Sequence, residues 1–243
     1  MRSIQFAEGE FYHLYNRGVD KRVVFTNKDE YRRFMAYLYL LNDQNTVRVT
    51  EAVRSIDLLE AKPREQDTDP LVALGAYCLM PNHFHLYVTP LVEGGISRFM
   101  HRLQTAYTMY FNENHERSGS LFQGTFKAQH VDRDEYAKYL FSYIHLNPAK
   151  LADPKWKEFG SRDLKRLRAA VVAYPYSSLH EYLTRRFVIT DPTKFPDYFS
   201  DAKAFDDHID FWLTFRDEGE TTLKAKPRGL ALRAGGKHTA RNT

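Results

Sequence analysis

A single cysteine, Cys78, stands among 243 residues. That excludes a disulfide framework and any zinc site built on paired thiolates. It also favours a reducing compartment, so the expected location is the cytoplasm. Long apolar runs are missing as well: none approaches the roughly 20 residues a membrane span needs, so no membrane partner is expected. Met1–Glu8 meets charge before any apolar core, and a secretory leader is therefore not expected. Tryptophan is scarce, with two residues, but 16 Tyr and 17 Phe bring the aromatic share to 14%. Such a stock serves core packing by default and stacking on nucleic-acid bases as a second use.

The composition is that of a soluble globular chain, 43% apolar and 27% charged, long enough for a substantial core. Its net charge of +4 is unevenly spread. From Thr221 to Thr243 there are basic residues (Lys224, Lys226, Arg228, Arg233, Lys237, Arg241) and no acids, which leaves residues 1–220 slightly negative. The body is thus no uniformly basic nucleic-acid binder, and any binding surface on it must be a local patch. The tail, with Pro227, Gly229, Gly235 and Gly236, reads as a flexible basic arm or a solvated terminus without a role.

Residues 10–17 read as a first strand closed by Gly18. Asn27, with Glu30 three residues on, has the form of a capping box that opens a helix to about Leu41, striped by Tyr31, Phe34, Met35, Leu38 and Leu41. Residues 42–70 read as a polar connection with a short helical piece near 51–61. Two apolar runs, 71–80 and 83–88, meet at Pro81-Asn82 as strands around a tight turn. A second helix over 96–114 buries Ile96, Phe99, Met100, Leu103, Tyr107, Tyr110 and Phe111. Residues 121–131 read as a fourth strand. A third helix, capped by Asp132 with Glu135, runs through Tyr136, Tyr139, Leu140, Tyr143 and Ile144 to near Asn147, before Pro148. The order βαββαβ predicts an α+β, ferredoxin-like antiparallel sheet with two helices on one face. The third helix follows the last strand. The expected division is a catalytic domain over 1–150, a helical extension packed on it over 151–220, and the tail over 221–243.

Strand alternation points His83 and His85 to one face, about 7 Å apart at a rise of about 3.3 Å per residue, where they could share a metal ion or be ordinary histidines at a strand start. Asn147 lies four residues beyond Tyr143, on the same helical face. Tyr139 is followed at that spacing by Tyr143 and Tyr136 by Leu140, so Tyr143 alone has a metal-competent side chain there. Two imidazoles and an amide oxygen make a three-ligand site with open positions, suited to Mg2+ or Mn2+. A phosphodiester oxygen can occupy an open position while Tyr143 attacks phosphorus. A tyrosine stripe on an amphipathic helix is otherwise core.

Pro81-Asn82-His83-Phe84-His85 resembles the histidine-hydrophobic-histidine (HUH) motif of single-tyrosine transposases. Ser142-Tyr143-Ile144-His145-Leu146-Asn147-Pro148 resembles the nucleophile segment of the REP-associated tyrosine transposases, as do Tyr12–Gly18 and Arg117–Lys127. The likeness covers residues 9–150 and, more weakly, Tyr174–Leu183. It implies a divalent-metal-dependent nuclease and strand transferase acting on single-stranded or hairpin DNA, as a monomer or homodimer. His83, His85 and Asn147 would be the metal ligands and Tyr143 the nucleophile, leaving a 5′-phosphotyrosine and a free 3′-OH. Arg17, Arg98, Arg102 and Lys127 are the candidate phosphate contacts. His145, on a different helical face, reads as structural or DNA-adjacent. Two other classes compete: a ferredoxin-like nucleic-acid binder without cleavage, and a metal-independent histidine phosphotransferase. The latter would want a histidine where Tyr87 stands.

Overall fold

The computed structural model describes residues 4–45 and 69–215. The expected helical piece near 51–61 and the basic tail lie outside the described residues. The strands are β1 (Phe11–Arg17), β2 (Val72–Met80), β3 (His83–Pro90) and β4 (Lys127–Val131). All three pairings are antiparallel, in the spatial order β2-β3-β1-β4. Helices α1 (Lys28–Leu40) and α2 (Gly95–Asn114) connect β1 to β2 and β3 to β4. This is the expected ferredoxin-like plan.

Strand alternation divides the sheet into two chemically different faces. Tyr12 and Leu14 of β1 and Phe84, Leu86 and Val88 of β3 enter one core with α1 and α2, which contribute Phe34, Leu38, Phe99, Leu103 and Tyr107. The opposite face carries His13, Tyr15 and Arg17 of β1 in register with Tyr87, His85 and His83 of β3. Helix α3 (Asp134–His145) covers much of this second face, and short helices pack behind it: α4 (Ala149–Ala152), α5 (Trp156–Phe159), α6 (Leu164–Val172), α7 (Leu179–Thr184) and α8 (Ala202–Thr214). Tyr136, Leu140, Phe141 and Ile144 of α3 share a core with Phe195, Phe199, Phe205 and Ile209. The outer edge of β2 is paired: Leu79 N–H donates to Tyr176 O at 2.9 Å and Ser178 N–H to Tyr77 O at 3.0 Å. A backbone edge is thereby blocked from pairing with another chain.

Several boundaries differ from the sequence expectation. Asn27 does cap α1, its Oδ1 accepting from Asp29 and Glu30 N–H at 3.0 and 3.1 Å. Glu30, however, reaches Thr26 N–H rather than the cap residue, at 2.6 Å. Asp132 does not cap α3: the helix begins at Asp134, with Arg133 in extended conformation before it and no side-chain cap. The fourth strand is shorter than 121–131, because Leu121 and Phe122 turn inward to the first core and Gly124 sits at φ +63°. Apolar residues there mark a buried loop, which a hydrophobic run does not distinguish from a strand.

Candidate active site

The β2–β3 turn that presents His83 is held from outside the hairpin. Gly18 N–H donates to Asn82 O at 2.9 Å, and Val24 and Phe25 N–H donate to Pro81 O at 2.8 and 3.1 Å. Gly18 is needed at the start of that loop because a Cβ would fall 2.4 Å from the Arg22 carbonyl oxygen. The side chain of Asn82 joins the clamp, its Nδ2 donating to Lys21 O at 3.1 Å, and its Oδ1 lies 2.6 Å from His83 Nδ1.

One pleat further along β3, the His85 ring centroid lies 5.0 Å from that of His83, in T-shaped orientation. Helix α3 brings Tyr143 against this pair, with 5.2 Å between the Tyr143 and His85 ring centroids. The chain leaves α3 at His145, and Asn147 follows in a turn, buried, with its Nδ2 donating to Tyr143 O at 2.8 Å. His83, His85, Tyr143 and Asn147 therefore lie together at one place between the sheet and the end of α3. The rival tyrosines sit differently: Tyr136 is buried in the second core, and Tyr139 packs between Trp212 at 5.2 Å and Tyr143 at 6.1 Å.

A third histidine belongs to the cluster. His13, on β1, is buried, with its Nε2 2.9 Å from His85 Nδ1 and its ring 6.0 Å from Tyr143. Nothing in the HxH spacing points to it. Alternation puts it on one face of β1, but only the β1–β3 register sets it beside His85. Lys150 and Lys157, also unforeseen, hold their ammonium groups 5.8 and 5.2 Å from the centre of the Tyr143 ring, within cation–π range.

Burial is the dominant electrostatic influence. It pushes His13 down to about 3, His83 down to about 4 and His85 well below the ordinary imidazole range, with the neighbouring positive charges of Arg17 and Lys150 lowering His83 further. All three are neutral near pH 7, the form that binds metals. The Tyr143 phenol is pushed up to about 12 by burial first and by the neighbouring Tyr139 second, and hydrogen bonding with Asn147 opposes the rise.

Three polar atoms in the cluster, His13 Nδ1, His85 Nε2 and Asn147 Oδ1, are buried without a hydrogen-bond partner. Orphaned buried polar atoms are costly, of order 1–3 kcal/mol each. Neutral imidazole nitrogen and amide oxygen are the donor types that Mn2+ or Mg2+ accepts, so these residues fit a divalent cation. No cluster of three or more His, Cys, Asp or Glu suited to a metal occurs among the described residues.

The candidate phosphate contacts divide. Arg17 is exposed at the end of β1, directly opposite His83 in the register. Lys127 starts β4 opposite Tyr15, which is itself opposite His85, so Lys127 shares the histidine face. Arg98 and Arg102 lie on α2, the helix packed on the opposite face, where Arg98 donates to Glu93 O at 3.2 Å and Arg102 to Asp43 O. His145 is fully buried, its Nδ1 donating to Phe141 O at 2.9 Å and its Nε2 accepting from Ser178 Oγ at 2.7 Å. It is a packing residue.

A family model described as "Transposase IS200 like" matches residues 11–147. The chain belongs to the IS200-like transposase family. That span takes in the whole sheet, both connecting helices, α3 and Asn147, and so every element that builds the cluster. Membership makes the protein a transposase, a DNA-binding enzyme of DNA transposition. Among solved structures, a REP-associated tyrosine transposase bound to a REP hairpin aligns at 13% identity with a TM-score of 0.49, covering 79% of this chain and 90% of that one. No curated protein matches the chain.

Proposed function

We propose that this transposase is a metal-dependent single-stranded DNA endonuclease and strand transferase of the REP-associated type, with Tyr143 as its nucleophile and hairpin-forming DNA as its substrate. The observation that carries the reading is the meeting of Tyr143 with two orphaned buried polar atoms, His85 Nε2 and Asn147 Oδ1, on one face of the sheet. Buried polar atoms are ordinarily paired, and two of them left open beside one tyrosine support a ligand that is not protein.

His83, His85 and Asn147 would hold Mg2+ or Mn2+, which supplies charge neutralisation and polarisation at the scissile phosphate. The remaining work falls to the chain. Tyr143 Oη forms a bond to phosphorus, the P–O3′ bond breaks, the phenol proton is lost and the departing 3′ oxygen takes up a proton. The products are a 5′-phosphotyrosine and a free 3′-OH. One phosphoester replaces another, so the 3′-OH of a second strand can reverse the step without ATP. A phenol held near 12 resists ionisation at neutral pH, and the ammonium groups of Lys150 and Lys157 over its ring favour the phenolate electrostatically. The helices beyond residue 150 act as an extension of the catalytic domain. Arg17 and Lys127 are the phosphate contacts nearest the cluster, with Arg98 and Arg102 as more distant ones.

Hairpin DNA labelled at its 3′ end, incubated with the protein and Mn2+, tests this directly. On a denaturing gel the label is expected to travel with wild-type protein and not with Tyr143→Phe or in EDTA. An adduct that persists in Tyr143→Phe moves the chemistry to another tyrosine. A native band shift without any adduct makes the protein a binder rather than a nuclease.

A further inference from the structure

Each histidine of the HxH pair has its Nδ1 engaged by a residue to which neither the family match nor the motif assigns a part. For His83 the proton can be placed by elimination. The Asn82 amide is oriented by its Nδ2 donating to Lys21 O at 3.1 Å, so Oδ1 is the atom facing His83 Nδ1 at 2.6 Å. An amide oxygen only accepts, so the hydrogen is on His83 Nδ1, and its Nε2 carries the free lone pair.

For His85 the partner is another imidazole, and two arrangements are open to the 2.9 Å contact with His13 Nε2. If His13 donated, neutral His85 would carry its remaining hydrogen on Nε2, a buried atom with no acceptor. If His85 Nδ1–H donates, His85 Nε2 keeps a free lone pair. The hydrogen without an acceptor is then on His13 Nδ1, likewise buried and unpartnered. Both arrangements leave one such N–H, but only the second leaves a metal-ready nitrogen on the ring that packs against Tyr143.

We propose that His13 and Asn82 are positioning residues that hold His85 and His83 as Nδ1–H tautomers before any metal arrives, presenting both Nε2 atoms to one divalent cation. The inference rests on the metal reading of the site above and extends it to two residues outside the ligand set. Outer hydrogen bonds of this kind fix ring orientation and raise ligand basicity, and losing one typically costs about 10- to 100-fold in metal affinity. The two clamps differ in origin. Asn82 is local, the residue before its histidine. His13 comes from another strand, 72 positions away in sequence, so this half of the arrangement exists only once β1 has paired with β3.

The test reads the tautomers in metal-free protein. With 15N-labelled histidine, long-range 1H–15N correlation spectra distinguish Nδ1–H from Nε2–H, and single substitutions assign the two rings among the ten histidines of the chain. Wild-type protein is expected to show Nδ1–H at both His83 and His85. His13→Phe removes the acceptor and should release His85 to Nε2–H, with Mn2+ binding by calorimetry weakened about 10- to 100-fold. His13→Gln keeps an acceptor oxygen and should restore both tautomer and affinity, separating loss of the hydrogen bond from disturbance of the fold. His85 found as Nε2–H in metal-free wild type overturns the proposal, and so does a folded His13→Phe protein that binds Mn2+ as tightly as wild type. Wild type with both expected tautomers and no uptake of Mn2+ overturns the metal reading instead, and with it the purpose assigned to His13.

Discussion

Two buried polar clusters meet at the C-terminal end of α3, and they are built on opposite principles. In the first, His145 bonds Phe141 O and Ser178 Oγ, Ser178 Oγ accepts from Tyr77 N–H at 2.9 Å, and Tyr77 Oη donates to Glu181. Glu181 Oε2 is surrounded by Val188, Ile189 and Thr190 N–H at 3.0–3.2 Å and by Thr190 Oγ1 at 2.7 Å. None of these atoms lacks a partner among the described residues. In the second cluster, beginning two residues after His145, Asn147 Oδ1, His85 Nε2 and His13 Nδ1 are all buried and unpartnered. A closed network spends its donors and acceptors on holding α7 and the 188–190 segment against β2. An open one keeps them free for something that is not protein. Tyr87 Oη and Trp156 Nε1 in the second core are unpartnered too, so what sets the second cluster apart is that three such atoms belong to residues gathered around Tyr143.

The largest effects should come from crossing these roles. Glu181→Gln puts an amide N–H₂ among backbone donors and loses charge-assisted hydrogen bonds, so it should cost about 3 kcal/mol of unfolding free energy. Mn2+ affinity of the protein that remains folded should be unchanged. Asn147→Ala should do the reverse. It removes an orphaned acceptor together with one hydrogen bond, so stability should move by less than about 1 kcal/mol. Metal affinity should fall by more than the loss of an outer hydrogen-bond partner costs, that is by more than about 10- to 100-fold or roughly 1.4–2.8 kcal/mol. Urea melts and Mn2+ titrations of both variants check the pair. A strongly destabilised Asn147→Ala with normal Mn2+ binding would erase the distinction.

The same contrast explains what was legible in the sequence. The ferredoxin-like order could be read because hydrophobic periodicity carries it: the α2 stripe from Ile96 to Phe111 and the two apolar runs around Pro81-Asn82 each have one structural meaning. His83 and His85 could be singled out because alternation on one strand sets their relation, and Tyr143 with Asn147 because they are four residues apart, although α3 ends at His145 and a turn carries Asn147. His13 could not, since its partnership with His85 depends on which strand lies beside β3 and in what register. Lys150 and Lys157 reach Tyr143 only through the path the chain takes after Pro148. The closed network was hidden for a similar reason: its central contact joins His145 to Ser178 across 33 residues. The failed Asp132 cap and the shortened β4 are errors of another kind, in which tertiary packing overrode a local signal.

Acid should weaken the fold through the buried histidines. Burial holds His145 and His13 down to about 3, whereas the unfolded chain titrates near 6.5. Between those values the unfolded state binds protons that the folded state does not. Stability is therefore complete above about pH 6.5 and lost progressively as pH falls toward 3. At pH 5 each such histidine should cost about 2 kcal/mol. Urea unfolding in EDTA at pH 7 and pH 5 measures the loss. His145→Gln should be less stable than wild type at pH 7, yet lose less on acidification, by close to one proton's worth of slope. An unaltered slope would mean that His145 is protonated in its network, which would then need an acceptor other than Phe141 O.

The smallest expected effects concern the basic residues, where the comparison is between the two faces of the sheet. Arg17, opposite His83, and Lys127, on the same face at the sheet's edge, can reach a backbone bound over the cluster. Arg98 and Arg102 project from α2, with the thickness of the sheet between them and Tyr143. If a single strand crosses only the histidine face, Arg17→Ala and Lys127→Ala should each lower hairpin affinity a few-fold and reduce the slope of log affinity against log salt by about 1. Arg98→Ala and Arg102→Ala should leave that slope unchanged. A reduced slope in the α2 variants would mean that the DNA wraps past the sheet edge onto the first face. The substrate would then be an extended hairpin gripped on both sides, with the nucleophile meeting only its single-stranded flank.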